Sequence, residues 1–169
     1  MTQNKLEVLM AKDEKLERGD SFLKEPPFLH VCGGHSDPNG VTIHDQRIFY
    51  TSLMYSSTNV EGAELVLSSG TFISGYPGTY TVTWSLQTDD SSGGEHYVQI
   101  YLRKNNDKVA YSEHLSRYSG ASGVVWEQGG RTLVLHLARG DTLDLYCEEC
   151  SAGIGYTTFC VSLATAEVE

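Results

Sequence analysis

The sequence predicts an all-β protein, a sandwich or barrel of many short strands. Three observations carry that expectation. After residue 28 nearly every apolar segment alternates with period two, and none sustains the 3.6 period of a helix. Clusters of Gly, Asn, Asp and Ser separate these segments, and the chain holds 17 glycines. Ten tyrosines, with many Thr and Val, favour extended backbone.

The elements follow in order from a boundary. Pro26-Pro27 stops any helix and divides a tail, residues 1–27, from a globular domain, residues 28–169. In the tail, Leu6, Leu9 and Leu16 fit a and d positions of a broken heptad, with Asp13 in the third slot. It is either the end of a coiled-coil neck or a frayed polar tail, since two heptads are marginal alone. Phe28 to Cys32 reads as extended, and Gly33 to Gly40 as a loop. Val41–His44, Ile48–Tyr55 and Leu65–Leu67 read as strands. A Gly-Tyr-Pro-Gly turn at Gly75–Gly78 then launches the strand Gly78–Gln87. Tyr80, Val82 and Trp84 point one way along it, and Thr79, Thr81 and Thr83 the other. Thr88 to Gly94 is a loop. Tyr97–Arg103 turns at Asn105-Asn106-Asp107 into Val109–His114. Gly123–Glu127, Thr132–Ala138, Thr142–Cys147 and Tyr156–Leu163 complete the strands, with Arg139-Gly140-Asp141 as a short turn.

Several of these segments, in this order, resemble the C1q globular domain. Phe72-Ile73-Ser74-Gly75-Tyr76-Pro77-Gly78-Thr79-Tyr80-Thr81-Val82-Thr83-Trp84 has the spacing Phe, five residues, then Gly-x-Tyr-x-(apolar)-x-(aromatic). Tyr101 to Val109 is similar to a strand-turn-strand with a Lys-Asn-Gly-Glu-Lys core. Leu135 to Leu145 is similar to Leu-x-Leu-x-x-Gly-Asp-x-Val-x-Leu, and Thr158 to Leu163 to a closing strand. The likeness covers about residues 28–164. Departures fall at Met54, Val60, Val82 and Val161. The chain contains no Gly-X-Y triplets. The resemblance implies a ten-strand antiparallel jelly-roll sandwich of the C1q and tumour-necrosis-factor type.

It also implies a function: a secreted homotrimeric module that binds protein, glycan or microbial surfaces, as in innate immunity. A signalling ligand of the tumour-necrosis-factor type, acting at the clefts between protomers, is the alternative. The N-terminus has no apolar signal core, so the chain is either intracellular or a piece of a longer secreted one, and the resemblance favours the second. No apolar run is long enough to cross a membrane as a helix. The charge is uneven: residues 1–24 hold five acids and five bases, and the remaining 17 acids and seven bases carry the whole −10. An acidic domain disfavours nucleic acid and anionic membranes.

Calcium is implied in the same way. The C1q-like pattern places acidic loops on either side of the strand Tyr97–Arg103, and here these hold Asp89, Asp90, Asn106 and Asp107. Carboxylate and carbonyl oxygens on such loops suit calcium; the alternative is that they are ordinary turn residues. Enzyme chemistry finds little support. Cys147-Glu148-Glu149-Cys150 has redox spacing, but it ends a strand among acids, which raise a thiol pKa. Four cysteines allow three pairings; the resemblance sets the first and last strands side by side and brings Cys32 near Cys160. Cys147 and Cys150 then either close a loop or stay reduced. His30, Cys32, His35 and His44 match no closed zinc site. No His-x-His pair, Gly-x-Ser-x-Gly elbow or phosphate loop is present. The chain therefore reads as a binding module and not an enzyme.

Overall fold

The computed structural model describes residues 27–42, 45–89, 95–117, 126–150 and 153–167. The tail 1–26, and with it the choice between neck and polar tail, lies outside the described residues. The described residues form eleven strands: β1 Leu29–Thr42, β2 Gln46–Arg47, β3 Ser52–Thr58, β4 Glu64–Val66, β5 Thr71–Ile73, β6 Gly78–Asp89, β7 Glu95–Lys104, β8 Asp107–Arg117, β9 Trp126–Leu137, β10 Thr142–Cys150 and β11 Gly153–Ala166. One 3-10 turn, Leu67–Ser69, is the sole helix among the described residues. Two antiparallel sheets result. One runs β3-β1-β11-β6-β9, the other β4-β5-β10-β7-β8, with β2 paired to β10 off that path. The chain passes from one sheet to the other after β1, β2, β3, β5, β6, β8, β9 and β10, which gives the jelly-roll connection.

The alternation read from the sequence decides what lies between the sheets. Tyr80, Val82 and Trp84 of β6 are buried, facing Ile100 and Leu102 of β7 and Leu143 and Leu145 of β10. Tyr80 donates its phenol proton to the Tyr76 carbonyl at 2.6 Å, and Trp84 Nε1 donates to Ser112 Oγ at 3.0 Å. Both polar tips are thereby satisfied inside an apolar core. Phe72 meets Tyr80 edge-on, and Tyr50 stacks on Phe159.

The strands differ in detail from those read in the sequence: two short ones were not legible, and two pairs of expected segments run together. β2 has two residues and β5 three, too few to show a period. Two expected breaks are also absent. β1 continues through Gly33–Gly40 because β11 pairs with it on both sides of a register shift between Ser36 and Val41. β9 runs through Gly129-Gly130, paired throughout with β6. Gly130 is needed there for closeness, since a Cβ would lie 2.6 Å from the Trp84 carbonyl oxygen.

The turn Arg139-Gly140-Asp141 does appear, and Asp141 shows why Gly-Asp sits in it. Gly140 has φ 84°, a left-handed conformation. Asp141 accepts hydrogen bonds from the Ala138 N–H at 2.8 Å and from Asn105 Nδ2 at 2.8 Å, and pairs with Lys104 at 2.8 Å. One carboxylate thus ties two turns together. Burial alone would raise its pKa, but the bonds from Asn105, Lys104 and Ala138 prevail and hold it below its ordinary 3.8. A group held below its unfolded value contributes stability above that value and loses it as pH falls through the folded one. The wild type is therefore expected to lose more stability than Asp141→Asn when chemical unfolding is repeated from neutral pH to below about pH 4. Parallel losses would show that these bonds contribute nothing.

Candidate contact faces, acidic turns and disulfides

The outward face of the five-stranded sheet has apolar edges and a hydroxyl-lined centre. Thr81 and Thr83 of β6, with Thr158 and Ser162 of β11, line the centre. Thr83 and Thr132 share a 3.0 Å hydrogen bond, as Ser85 and Thr158 do at 2.6 Å. At one edge β3 exposes Leu53, Met54 and Tyr55; at the other β9 exposes Val134, which is 64% accessible. Met54 is 60% accessible. Large apolar side chains are thus open at two opposite edges of one sheet.

The outward face of the other sheet is a charged and aromatic cluster. Asp144 of β10 is only 2% accessible. Arg103 Nε donates to its Oδ1 at 2.7 Å, and Arg47 Nε stands 2.9 Å from Oδ2 as an ion pair without an aligned hydrogen bond. The Arg103 guanidinium also lies 4.1 Å above the Tyr146 ring. Beside it Lys108 pairs with Glu148 and covers the Tyr101 ring at 4.0 Å, and Tyr101 tilts against Tyr111. The bond from Lys108 is the main cause that holds the Glu148 carboxyl below its ordinary value; the same bond raises Lys108. Buried Tyr50 has its phenol pushed well above 10, first by burial and then by the charge of Asp144. Its hydroxyl finds no partner among the described residues. None of these groups is arranged as a nucleophile beside a base.

Of the four residues considered for calcium, the three described ones, Asp89, Asn106 and Asp107, are not brought together. Asp89 ends β6, beside the start of β7. Asn106 and Asp107 lie past the other end of β7, where Asn105 and Asn106 form a two-residue hairpin turn with φ 53° and 72°. Ten residues of strand separate these ends, about 30 Å at 3.3 Å per residue. Within one chain that length holds the two turns apart. Asn106 Oδ1 already accepts a hydrogen bond from Arg47 at 3.3 Å, and Asp107 is exposed. Asp90 lies outside the described residues, and among the described ones no group of three His, Cys, Asp or Glu could hold a metal ion.

The cysteines pair as Cys32–Cys160 and Cys147–Cys150. The first joins directly opposed residues of β1 and β11, as the adjacency of first and last strands implied. The second depends on a bulge. Strand alternation would put Cys147 and Cys150 on opposite faces, but the register slips between Cys147 and Glu149. Both sulfurs then face the core and close a short loop, the first of the two outcomes the sequence left open.

No family model matches the chain, and no curated protein matches it. Solved structures do. The globular domain of zebrafish complement 1qA protein aligns with TM-score 0.56 and 14% identity, over 82% of this chain and 99% of that one. The structure of Eiger TNF from S. frugiperda aligns with TM-score 0.58 and 16% identity, over 85% of this chain and 96% of that one. Strand order, sheet pairing and these two likenesses agree, and the chain folds as a C1q/TNF-like jelly roll.

Proposed function

We propose that the chain is a secreted, homotrimeric binding module of the C1q type whose loops recognise protein, glycan or microbial surface ligands. The observation that carries the trimer is the pair of apolar edges. Three-fold rings are built from heterologous contacts, in which one patch meets a different patch on the next copy. Val134 on β9 and Met54 with Tyr55 on β3 are two such patches, set at opposite edges of one sheet. Three linked copies raise the avidity of weak single sites. Two disulfides suit an oxidising extracellular setting. The likeness to Eiger TNF supports a second reading, a receptor ligand acting at the clefts between protomers.

Light scattering coupled to size separation tests the assembly. The wild type is expected to elute with the mass of three chains, and Val134→Lys with the mass of one, since Val134 is exposed and its replacement leaves the core intact. A monomeric wild type at micromolar concentration, in calcium, would defeat the reading. A chelator arm reads the cation: calcium held by Asp89 and Asp90 at one end of β7, or by Asn106 and Asp107 at the other, would have to act in three copies across the axis. An unchanged mass and midpoint in chelator would leave these as turn residues. Binding of the trimer to glycan and microbial panels, against binding to a cell-surface receptor, separates the two functional readings.

A further inference from the structure

The two disulfides sit in opposite surroundings. Cys147 and Cys150 are 0% and 3% accessible and belong to the core. Cys32–Cys160 lies on the outward face of the five-stranded sheet, where Cys160 is partly accessible and Cys32 less so. Its Cα atoms are 4.2 Å apart, the spacing of a pair that exchanges no backbone hydrogen bonds. The sulfurs therefore bridge a gap between two strands already held by their neighbours.

A histidine is built against this bridge. His30 precedes Cys32 by two residues and shares its face. Its Nε2 is 3.4 Å from Cys32 Sγ, and its Nδ1 shares a 2.5 Å hydrogen bond with Ser162 Oγ. The ring leans on Tyr55 at 5.2 Å. Ser162 and Tyr55 fix the imidazole, so its second nitrogen stays aimed at the sulfur. An open cleft of about 350 Å³ adjoins the same place, lined by Phe28, Leu29, His30, Tyr55, Ser162 and Leu163. A partly accessible disulfide and an oriented imidazole thus coincide, with an open cleft on the far side of that imidazole and its serine.

We propose that Cys32–Cys160 is a thiol-exchange site that takes up a low-molecular-weight thiol as a mixed disulfide on Cys160. The incoming thiolate sulfur attacks Sγ of Cys160, the more accessible of the two. A new S–S bond forms there, and the Cys32–Cys160 bond breaks with its electron pair on Cys32 Sγ. The incoming thiol is oxidised to the mixed disulfide and Cys32 is reduced, so no other oxidant is required. In the tautomer that carries its proton on Nε2, His30 donates a hydrogen bond to the departing Cys32 thiolate, which then takes a proton from solvent. Stabilising the leaving thiolate speeds exchange. At Cys147–Cys150 burial bars the same attack.

The test uses the native full chain with reduced glutathione, quenched by alkylation and read by peptide mass mapping. Glutathione is expected on Cys160, the alkyl group on Cys32, and Cys147–Cys150 intact. His30→Gln is expected to slow the second-order rate about tenfold in protein whose circular dichroism is unchanged. Ser162→Ala, which frees the ring but keeps it, is expected to slow it less, and serves alone should the histidine variant fail to fold. The proposal falls if Cys147–Cys150 reacts first, if no adduct forms below the melting temperature, or if both folded variants react at the wild-type rate.

Discussion

Trp84→Ala is expected to lower the free energy of unfolding by about 3–5 kcal/mol, measured by chemical denaturation. The indole lies at the middle of β6, 1% accessible, between the two sheets. Removing it costs the transfer of a large aromatic group and leaves a cavity, because strands paired on both sides cannot close in to fill it. It also strands the Ser112 hydroxyl, which accepts the Nε1 hydrogen bond. Trp84→Phe keeps most of the volume and is expected to lose well under half as much. A Trp84→Ala variant that melts with the wild type but fails to bind ligand would mean that this face is a contact and not a core.

The burial of Trp84 was legible because the signal is local. Alternation over Gly78–Gln87 needs no knowledge of the partner strand, and β6, β7, β10 and β11 were all visible in this way. Where pairing over long sequence distances decides the backbone, the sequence misleads. Gly33–Gly40 has the composition of a loop, yet β11, more than a hundred residues away, pairs with it. Gly129-Gly130 reads as a break for the same reason. The Cys147–Cys150 bridge needs a bulge set by the register against β7. The acidic turns show the converse relation. Asp89 and Asp107 flank one strand in sequence, and that strand itself holds them apart.

The Arg47–Asp144–Arg103 cluster escaped the sequence altogether. Its members come from three elements with no common spacing. The one available signal was an acid in the apolar alternation Leu143-Asp144-Leu145, which placed Asp144 on the outer face of β10 without saying that β2 would cover it. This cluster carries the second large effect. Arg103→Ala is expected to destabilise the fold by about 3 kcal/mol, because it leaves a buried carboxylate short of its main partner. Arg103 supplies the aligned hydrogen bond, and Arg47, more exposed, supplies charge alone. The variant also uncovers the Tyr146 ring. Arg103→Lys keeps the charge but loses the planar stack and the fixed donor, and is expected to recover only part of the loss. Pairing Arg103→Ala with Asp144→Asn separates the terms. The double variant should be more stable than the single arginine variant, since it removes the unpaired charge. If the two losses simply add, the ion pair is not what holds β7 to β10 at this point, and the stability of this face rests on packing around Tyr146 instead.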